Sequence, residues 1–204
     1  MAAKKSVRGF SVLITGVPGT GKSTIAKMLA KEKGAALIDI NKLAGVLKLY
    51  SGVDSQDGAK IVKLDELASE LSAAIKAEKK SKPVIVEGHL GCEMKLPVQK
   101  VIVLRCEPKT LRARLASRNY PQEKVAQNAL SEALDYCTVL SEKNYGEKKV
   151  WEIDTTGLSE KQVLAKCISL LSGKKMRKEK VSFPDALLRE AISGEKIRKA
   201  MKGA

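Results

Sequence analysis

A glycine-rich segment near the N-terminus constrains the fold of this chain more than any other feature. Residues 10–15 form the apolar run FSVLIT, which predicts a β-strand, and GVPGTGKS (16–23) follows directly. The second segment fits the phosphate-binding pattern G-x-x-x-x-G-K-[ST], and a helical pattern begins immediately after it. This order of strand, glycine loop and helix predicts an α/β domain that binds a nucleoside triphosphate.

The residue types of this loop suit phosphate chemistry. Glycines let the backbone curl so that successive N–H groups face one concavity, and the helix N-terminus adds its dipole there. Lys22 is expected to reach the β- and γ-phosphates, Ser23 to ligate Mg²⁺ and Thr24 to touch the α-phosphate. The predicted cofactors are therefore ATP and Mg²⁺. The predicted nucleotide-binding residues of the loop are Gly16, Gly19, Thr20, Gly21, Lys22, Ser23 and Thr24.

Apolar strand-like segments alternate with helical segments along the rest of the chain. The predicted strands are 10–15, 35–40, 84–87, 100–106 and 150–154. The predicted helices are 22–33, 41–50, 63–80, 108–118, 122–143 and 159–171, with a loop at 51–58. This alternation predicts a three-layer α/β domain, in which a five-stranded parallel sheet carries helices on both faces. Ligands of such domains bind at the carboxyl ends of the strands.

The composition is that of a globular domain. Apolar residues make up 44% of the 204 residues, and no apolar run approaches the roughly 18 residues of a membrane span. No signal-peptide core precedes the first strand. The four cysteines, Cys92, Cys106, Cys137 and Cys167, form no C-x-x-C pair, so we expect reduced core thiols. The expected location is cytoplasmic, or nuclear if the organism is eukaryotic, without a membrane partner.

The net charge of +15 favours polyanionic surroundings such as nucleotides or RNA, although solubility alone also explains it. Residues 173–204 carry ten Lys or Arg and four Asp or Glu, and so contribute +6 of this charge. They begin with a basic run, GKKMRKEK, which predicts a linker. Leu188 and Ile192, and then Ile197 and Met201, share predicted helical faces after Pro184. This extension is expected to pack on the core, bind rRNA or meet a partner protein.

Three further blocks carry a resemblance to a known family. They are IDINKLAGVLKLYSGVD (38–54), VIVEGHLGCE (84–93) and VIVLRCEPKTLRARLASRNYPQEKVAQNALSE (101–132). With GVPGTGKST they resemble the adenylate kinase isoenzyme-six family, also called the coilin-interacting nuclear ATPase family, over about residues 9–172. The resemblance implies a P-loop NTPase fold of the nucleoside-monophosphate-kinase type with a short lid. The acceptor-binding region would be about 39–62 and the lid about 117–127, in a domain of residues 1–172.

The resemblance also implies a function. Members of the family are adenylate kinases, which convert ATP and AMP to two ADP, and they hydrolyse ATP. They act in maturation of the small ribosomal subunit through a small-subunit ribosomal protein. The matching positions imply that Arg114 and Arg118 are lid-side arginines. They also imply that Glu87 and His89 are the acidic residue and the histidine that follow the third strand, where the family usually has Asp in place of Glu87.

Physical chemistry supports these four residues as candidate catalytic residues beside Lys22. Arg114 and Arg118 are spaced i, i+4, so one helical face can present both to phosphates, although a solvated basic face has the same spacing. Glu87 ends an apolar strand, where a carboxylate either holds Mg²⁺ with Ser23 or serves only the structure. His89, the single histidine, would orient a water or a partner, or simply satisfy its own hydrogen bonds.

One departure from the family concerns the acceptor side. The family has an arginine that faces the monophosphate at the position of Gly45, and no arginine occurs between Arg8 and Arg105. Lysine acts as a point charge where arginine binds phosphate with two hydrogen bonds, so we expect weak AMP binding and competition by water. The lysines that could substitute are Lys42, Lys48, Lys60, Lys63 and Lys95.

Two other functions fit the same scaffold. One is an assembly NTPase, whose nucleotide state controls binding to a ribosomal protein or rRNA. The other is a small-metabolite kinase that phosphorylates an acceptor hydroxyl, with Asp39 after the second strand as the base. The acceptor region lacks the arginines that would grip a carboxylate substrate, which argues against the metabolite kinase.

Overall fold

The computed structural model describes residues 9–53, 60–172, 177–186 and 188. Within them the strands are β1 (Ser11–Thr15), β2 (Ala36–Asp39), β3 (Tyr50–Val53), β4 (Lys60–Val62), β5 (Val84–Glu87), β6 (Lys100–Arg105) and β7 (Val150–Asp154). Five of these strands form a parallel sheet in the order β2-β5-β1-β6-β7. The predicted five-stranded parallel sheet is thereby confirmed.

The described residues also form seven α-helices, besides a short helical segment at 184–186. They are α1 (Lys22–Lys33), α2 (Ile40–Val46), α3 (Leu64–Glu78), α4 (Pro108–Ala116), α5 (Gln122–Ala133), α6 (Tyr136–Tyr145) and α7 (Glu160–Leu171). Short 3₁₀ helices lie at His89–Cys92 and Glu147–Lys149. Helix α1 has its predicted bounds and ends at Gly34, which has a φ of 57° and caps the helix in the left-handed conformation.

Apolar side chains point alternately to the two faces of the sheet and make a core on each. On β1, Val12 and Ile14 pack with α1 and α7, and Leu13 packs on the opposite side with α3. All three side chains are fully buried. A strand that is buried on both faces reads as a continuous apolar run, which is why the central strands were recognisable in the sequence. The three-layer α/β architecture is confirmed.

The chain beyond β2 differs from the prediction. The predicted helix 41–50 ends at Val46, and Tyr50 begins β3, which pairs antiparallel with β4. Lys48 has a φ of 51°, a left-handed conformation that ends the helical turn. The loop predicted at 51–58 is therefore wrong at its start, because residues up to Val53 belong to β3. Its residues 54–58 lie outside the described part of the chain.

The long helix predicted over 122–143 is two helices. Helix α5 ends at Ala133 and α6 begins at Tyr136, because Asp135 has a φ of 54°. Arg105, at the end of β6, donates through Nη2 to the Glu132 carbonyl at 3.0 Å and to Asp135 Oδ1 at 2.5 Å. These tertiary bonds hold the chain at the break.

The described part of the C-terminal extension lies against β7 and the short 3₁₀ helix Glu147–Lys149. Lys178 contacts the Glu147 carbonyl, and its Nζ lies 5.0 Å from the centre of the Trp151 ring. Val181 N donates to Glu152 Oε2 at 3.1 Å. A helical segment covers residues 184–186 and begins at Pro184, as predicted. The predicted helical positions Ile192, Ile197 and Met201 lie outside the described residues.

Two further observations concern the thiols and membranes. The four cysteines are buried free thiols, as expected. Among the described residues, no helix combines the length and the apolar character that crossing a membrane requires.

Candidate nucleotide-binding site

The glycine loop connects β1 to α1 at the carboxyl edge of the sheet. Gly16, Gly19 and Gly21 have φ values of 135°, 93° and 96°, a backbone region that residues other than glycine rarely adopt. A Cβ on Gly16 would lie 2.3 Å from the Leu104 carbonyl oxygen of β6, so the loop also needs glycine for space. The predicted phosphate-binding residues therefore lie in one tight turn at the N-terminus of α1.

Lys22 lies across this loop. Its Nζ donates to the Val17 carbonyl at 2.9 Å, and the Thr20 hydroxyl donates to the same oxygen at 3.0 Å. Lys22 is 8% exposed, and burial lowers the pKa of its ammonium group. A phosphate beside this ammonium group would favour the charged form and replace the carbonyl as its partner. The cradle of loop and lysine thus fits an anionic ligand.

Ser23 and Glu87, the two residues predicted to hold Mg²⁺, lie next to each other. The Ser23 hydroxyl donates to Glu87 Oε1 at 3.0 Å, and Glu87 pairs in register with Ile14 at the end of β1. Glu87 is 5% exposed, and burial raises the pKa of its carboxyl group, while the bond from Ser23 and the charge of Lys22 oppose this rise. A hydroxyl and a carboxylate are suitable oxygen ligands for Mg²⁺, and nucleotide phosphates and waters would complete its coordination.

The described residues contain no cluster of three or more His, Cys, Asp or Glu side chains that could hold a metal ion by itself. A Mg²⁺ ion at Ser23 and Glu87 would therefore depend on phosphate oxygens for part of its coordination. This dependence is the usual arrangement in proteins that bind Mg²⁺ with a nucleotide.

His89 follows β5 and begins a 3₁₀ helix. Hydrogen bonds to the backbone carbonyl of His89 hold this helix in place. The His89 carbonyl accepts from the Thr15 hydroxyl at 3.2 Å and from Cys92 Sγ at 3.1 Å. Burial, with a smaller contribution from Lys22, lowers the pKa of the His89 imidazole to about 4. The imidazole is therefore neutral near pH 7 and presents one donor and one acceptor.

Arg118 and Arg114 approach the loop from the other side. The predicted helix 108–118 ends at Ala116, so Arg118 lies beyond the helix, in the segment that leads to α5. The expectation that one helical face presents both arginines is therefore wrong. They nevertheless meet around one cavity of about 260 Å³ beside Gly19 and Thr155.

Two cavities flank the loop and share Arg118. The first, of about 230 Å³, is lined by Pro18, Gly19, Gly21, Lys22, Ser23, Thr24, Asn41, Glu87, Gly88, His89, Arg118 and Tyr120. The second is lined by Gly19, Thr20, Gly21, Thr24, Ile25, Arg114, Arg118, Thr155, Leu158, Glu160 and Val163. All the predicted site residues except Gly16 therefore line one or both of these cavities. Gly16 lies in the loop but lines neither cavity.

Sequence reasoning missed several residues of these cavities. Asn41 lies just after β2, Gly88 directly after β5 and Thr155 directly after β7, and Tyr120 follows Arg118 in the lid segment. The first three share one signal, because ligands of parallel sheets bind where strands end. Tyr120 offered no comparable signal.

In the part of the acceptor half that the structure describes, no lysine lines either cavity. None of the five candidate lysines, Lys42, Lys48, Lys60, Lys63 and Lys95, is among the lining residues. Lys60 Nζ lies 4.7 Å from the Tyr50 ring centre, and Lys63 pairs with Glu66 at 2.9 Å. Asp39, the candidate base of a metabolite kinase, accepts from Lys42 N at 2.9 Å as the N-cap of α2.

Comparison with known proteins agrees with this geometry. A family profile described as "AAA domain" matches residues 12–135. A protein from Methanocaldococcus jannaschii named "Putative adenylate kinase" is 33% identical over 174 residues, which cover 85% of this chain and 93% of that protein. A protein of the same name from Halobacterium salinarum is 38% identical over 164 residues, which cover 79% of this chain and 90% of that protein.

Solved structures of low sequence identity share the fold. A sugar kinase from Janibacter sp. HTCC2649 superposes with a TM-score of 0.57 at 15% identity, covering 87% of this chain and 98% of that one. Thymidylate kinase from Candida albicans gives a TM-score of 0.53 at 17% identity, covering 86% of this chain and 96% of that one. These similarities concern the fold alone.

The sheet order and the glycine loop define a P-loop protein of the nucleoside-monophosphate-kinase type. Within this class, the chain belongs to the AAA-domain family matched over residues 12–135, together with the archaeal relatives named "Putative adenylate kinase".

Proposed function

We propose that this protein is an adenylate kinase, which transfers the γ-phosphate of ATP to AMP, and that it also hydrolyses ATP. One observation carries the proposal: Lys22, the Ser23–Glu87 pair and Arg118 surround one cavity at the carboxyl edge of the sheet. Phosphoryl transfer needs positioning and charge neutralisation rather than a covalent intermediate, and these side chains supply both. The names of the archaeal relatives agree with the proposal.

Each side chain has a proposed task. Lys22 leaves the Val17 carbonyl and binds the β- and γ-phosphates, while loop N–H groups bind the remaining phosphate oxygens. Arg118 and Arg114 neutralise charge that develops on the transferred group. Ser23 and Glu87 would hold Mg²⁺, which supplies further charge neutralisation when bound. Glu87 keeps the Ser23 hydroxyl oriented through its 3.0 Å bond.

AMP and water compete as acceptors of the γ-phosphate in this proposal. Among the described residues, the cationic side chains that line the first cavity are Lys22 and Arg118, and both belong to the ATP side. AMP would therefore meet no dedicated phosphate-binding arginine, and water competes for the same γ-phosphate. The neutral imidazole of His89 lines this cavity and can accept a hydrogen bond from an attacking water.

A product assay tests the proposal. ATP alone should give ADP and inorganic phosphate in equal amounts, and ATP with AMP should give ADP in excess of phosphate, with some phosphate still formed because water competes with AMP. Lys22→Ala should abolish both reactions. A KM for AMP in the micromolar range without ATP hydrolysis would contradict the weak-acceptor argument. Absence of ADP under both conditions would contradict the proposed activity itself.

We further propose that the protein acts in maturation of the small ribosomal subunit through a ribosomal protein, with rRNA contacts along its basic surface. The family resemblance and the net charge of +15 support this proposal. Binding to rRNA would rest on phosphate contacts and fall steeply with salt. A partner pull-down with wild type and Lys22→Ala separates the two roles, because the variant should retain the partner while it loses turnover. Failure of wild type to bind any small-subunit protein would contradict the assembly role.

A further inference from the structure

Arg105, at the end of β6, is a buried cation, and all three nitrogens of its guanidinium group donate hydrogen bonds. Its side chain is 1% exposed. Nε donates to Glu132 Oε1 at 2.6 Å and Nη2 to Asp135 Oδ1 at 2.5 Å. Nη1 contacts the Glu152 carboxylate and donates to Thr138 Oγ1 at 3.2 Å. Because the planar guanidinium is held from several directions, the backbone at Arg105 is fixed in place.

Thr155 joins this fixed point to the nucleotide site. Its N–H and its hydroxyl both donate to the Arg105 carbonyl, at 2.9 Å and 2.8 Å. Arg114 Nη1 in turn donates to Thr155 Oγ1 at 3.1 Å, and Arg114 Nη2 donates to the Thr155 carbonyl at 3.0 Å. The Thr155 hydroxyl therefore donates on one side and accepts on the other, which fixes its rotamer.

Arg114 needs such a partner because its own helix leaves it free to move. It lies in the last turn of α4 and is only half-buried, and an arginine side chain has many rotamers of similar energy. The two parallel bonds to Thr155 hold the guanidinium plane at the wall of the second cavity. A cation held in this way loses less conformational entropy when a nucleotide binds.

We propose that Thr155 is the positioning residue that holds Arg114 at the nucleotide cavity, anchored by the buried Arg105. The C-terminal segment belongs to the same hydrogen-bonded unit, since the Val181 carbonyl accepts from Arg105 Nη1 at 3.2 Å and the Phe183 ring centre lies 5.5 Å from the guanidinium. This inference rests on the proposed function, because it assigns a role to the site that binds the nucleotide.

Titration of the full-length protein with Mg-ADP by calorimetry tests the inference. Thr155→Val keeps the shape of the side chain but removes the hydroxyl, and should weaken binding about tenfold, the scale of one hydrogen bond to a charged group. Thr155→Ser restores the hydroxyl and should return affinity to within about twofold of wild type. In activity assays the loss should appear both as a higher KM for ATP and as a lower kcat, because Arg114 also neutralises charge on the transferred group.

A double-mutant cycle separates positioning from general damage. In an Arg114→Ala background, Thr155→Val should have little further effect, because the side chain that it positions is gone. Thr156→Val is the matched control: its hydroxyl accepts from Glu107 N at 2.8 Å, and its effect should add to that of Arg114→Ala. Independent, additive effects of Thr155→Val and Arg114→Ala would overturn the inference. Absence of Mg-ADP binding by wild type would instead refute the proposed function and the inference with it.

Discussion

Replacement of Arg105 by methionine gives the sharpest test of how this fold is held together. Methionine has a comparable length and keeps the apolar contacts, but it removes the cation from among Glu132, Asp135 and Glu152. The side chains of Glu132 and Glu152 are 1% and 8% exposed, so both carboxylates would be left buried and unpaired. Asp135 is 35% exposed and can hydrate. Breaking a buried pair in this way costs about 3–5 kcal/mol of stability.

Protonation sets an upper limit on the cost of each orphaned carboxyl group separately. Burial already raises the pKa of Glu132 from its ordinary 4.5, and loss of Arg105 would raise it further. At pH 7.5, keeping one such group protonated costs about 4 kcal/mol, and at pH 5.5 about 1.4 kcal/mol. Because the folded pKa lies above the unfolded one, the penalty is absent below about pH 4.5 and grows as the pH rises.

Urea unfolding of wild type and Arg105→Met at pH 5.5 and 7.5 measures this difference. Circular dichroism and fluorescence of the single tryptophan, Trp151, provide two independent probes. The variant should lose about 3–5 kcal/mol at pH 7.5, or roughly 6–20 °C in Tm, and clearly less at pH 5.5. Adding Glu132→Gln keeps an acceptor for Cys106 N but removes one charge, and should reduce the dependence on pH.

The reasoning fails if Arg105→Met lies within about 1 kcal/mol of wild type at pH 7.5, because no buried carboxylate would then depend on Arg105. Equal losses at both pH values would also contradict it. In that case the destabilisation would come from packing rather than from unpaired charge.

Three further predictions concern the loop and its neighbours. Lys22→Ala should lower turnover at least 100-fold in a coupled ADP assay, and near-normal turnover would refute the phosphate-loop assignment. The pKa of His89 is lowered to about 4, below its ordinary 6.5, so its contribution to stability is full above pH 6.5 and is lost as the pH falls toward 4. His89→Gln should remove that part of the acid sensitivity in thermal unfolding, and an unchanged profile would contradict the shift. Gly16→Ala should destabilise more than Gly21→Ala, because a Cβ at Gly16 lies 2.3 Å from a backbone oxygen and one at Gly21 meets nothing within 4 Å. Equal urea midpoints of the two variants would show that backbone strain at the positive φ angle, rather than the close contact with the backbone oxygen, determines the loss of stability.

The sheet and the loop were predictable because their signals are local. Strands β5 and β7 and helix α1 have their predicted bounds, since buried parallel strands are continuous apolar runs and Gly34 marks a helix end. The glycine loop has a fixed spacing that places Lys22 and Ser23 without any knowledge of the fold. These parts of the site follow from short stretches of sequence.

The missed features depend on contacts between distant residues. Helical periodicity continues across Asp135, so nothing local indicates a break, and the bonds that hold it come from Arg105, 30 positions earlier. The hairpin of β3 and β4 is short and mostly exposed, and its register shifts between Tyr50 and Gly52, so it lacks a regular alternation. The role of Thr155 depends on Arg114, 41 positions away.

The placement of Val181 and Phe183 has a consequence for the order of folding during synthesis. These residues complete the surroundings of Arg105, yet the ribosome makes them only after all five strands of the parallel sheet, the last of which ends at Asp154. A nascent chain can therefore form its sheet and glycine loop while Arg105 still awaits its last partners. The finished domain gains its full rigidity only when this late segment arrives, so products that end before Val181 should be selectively open to proteolysis.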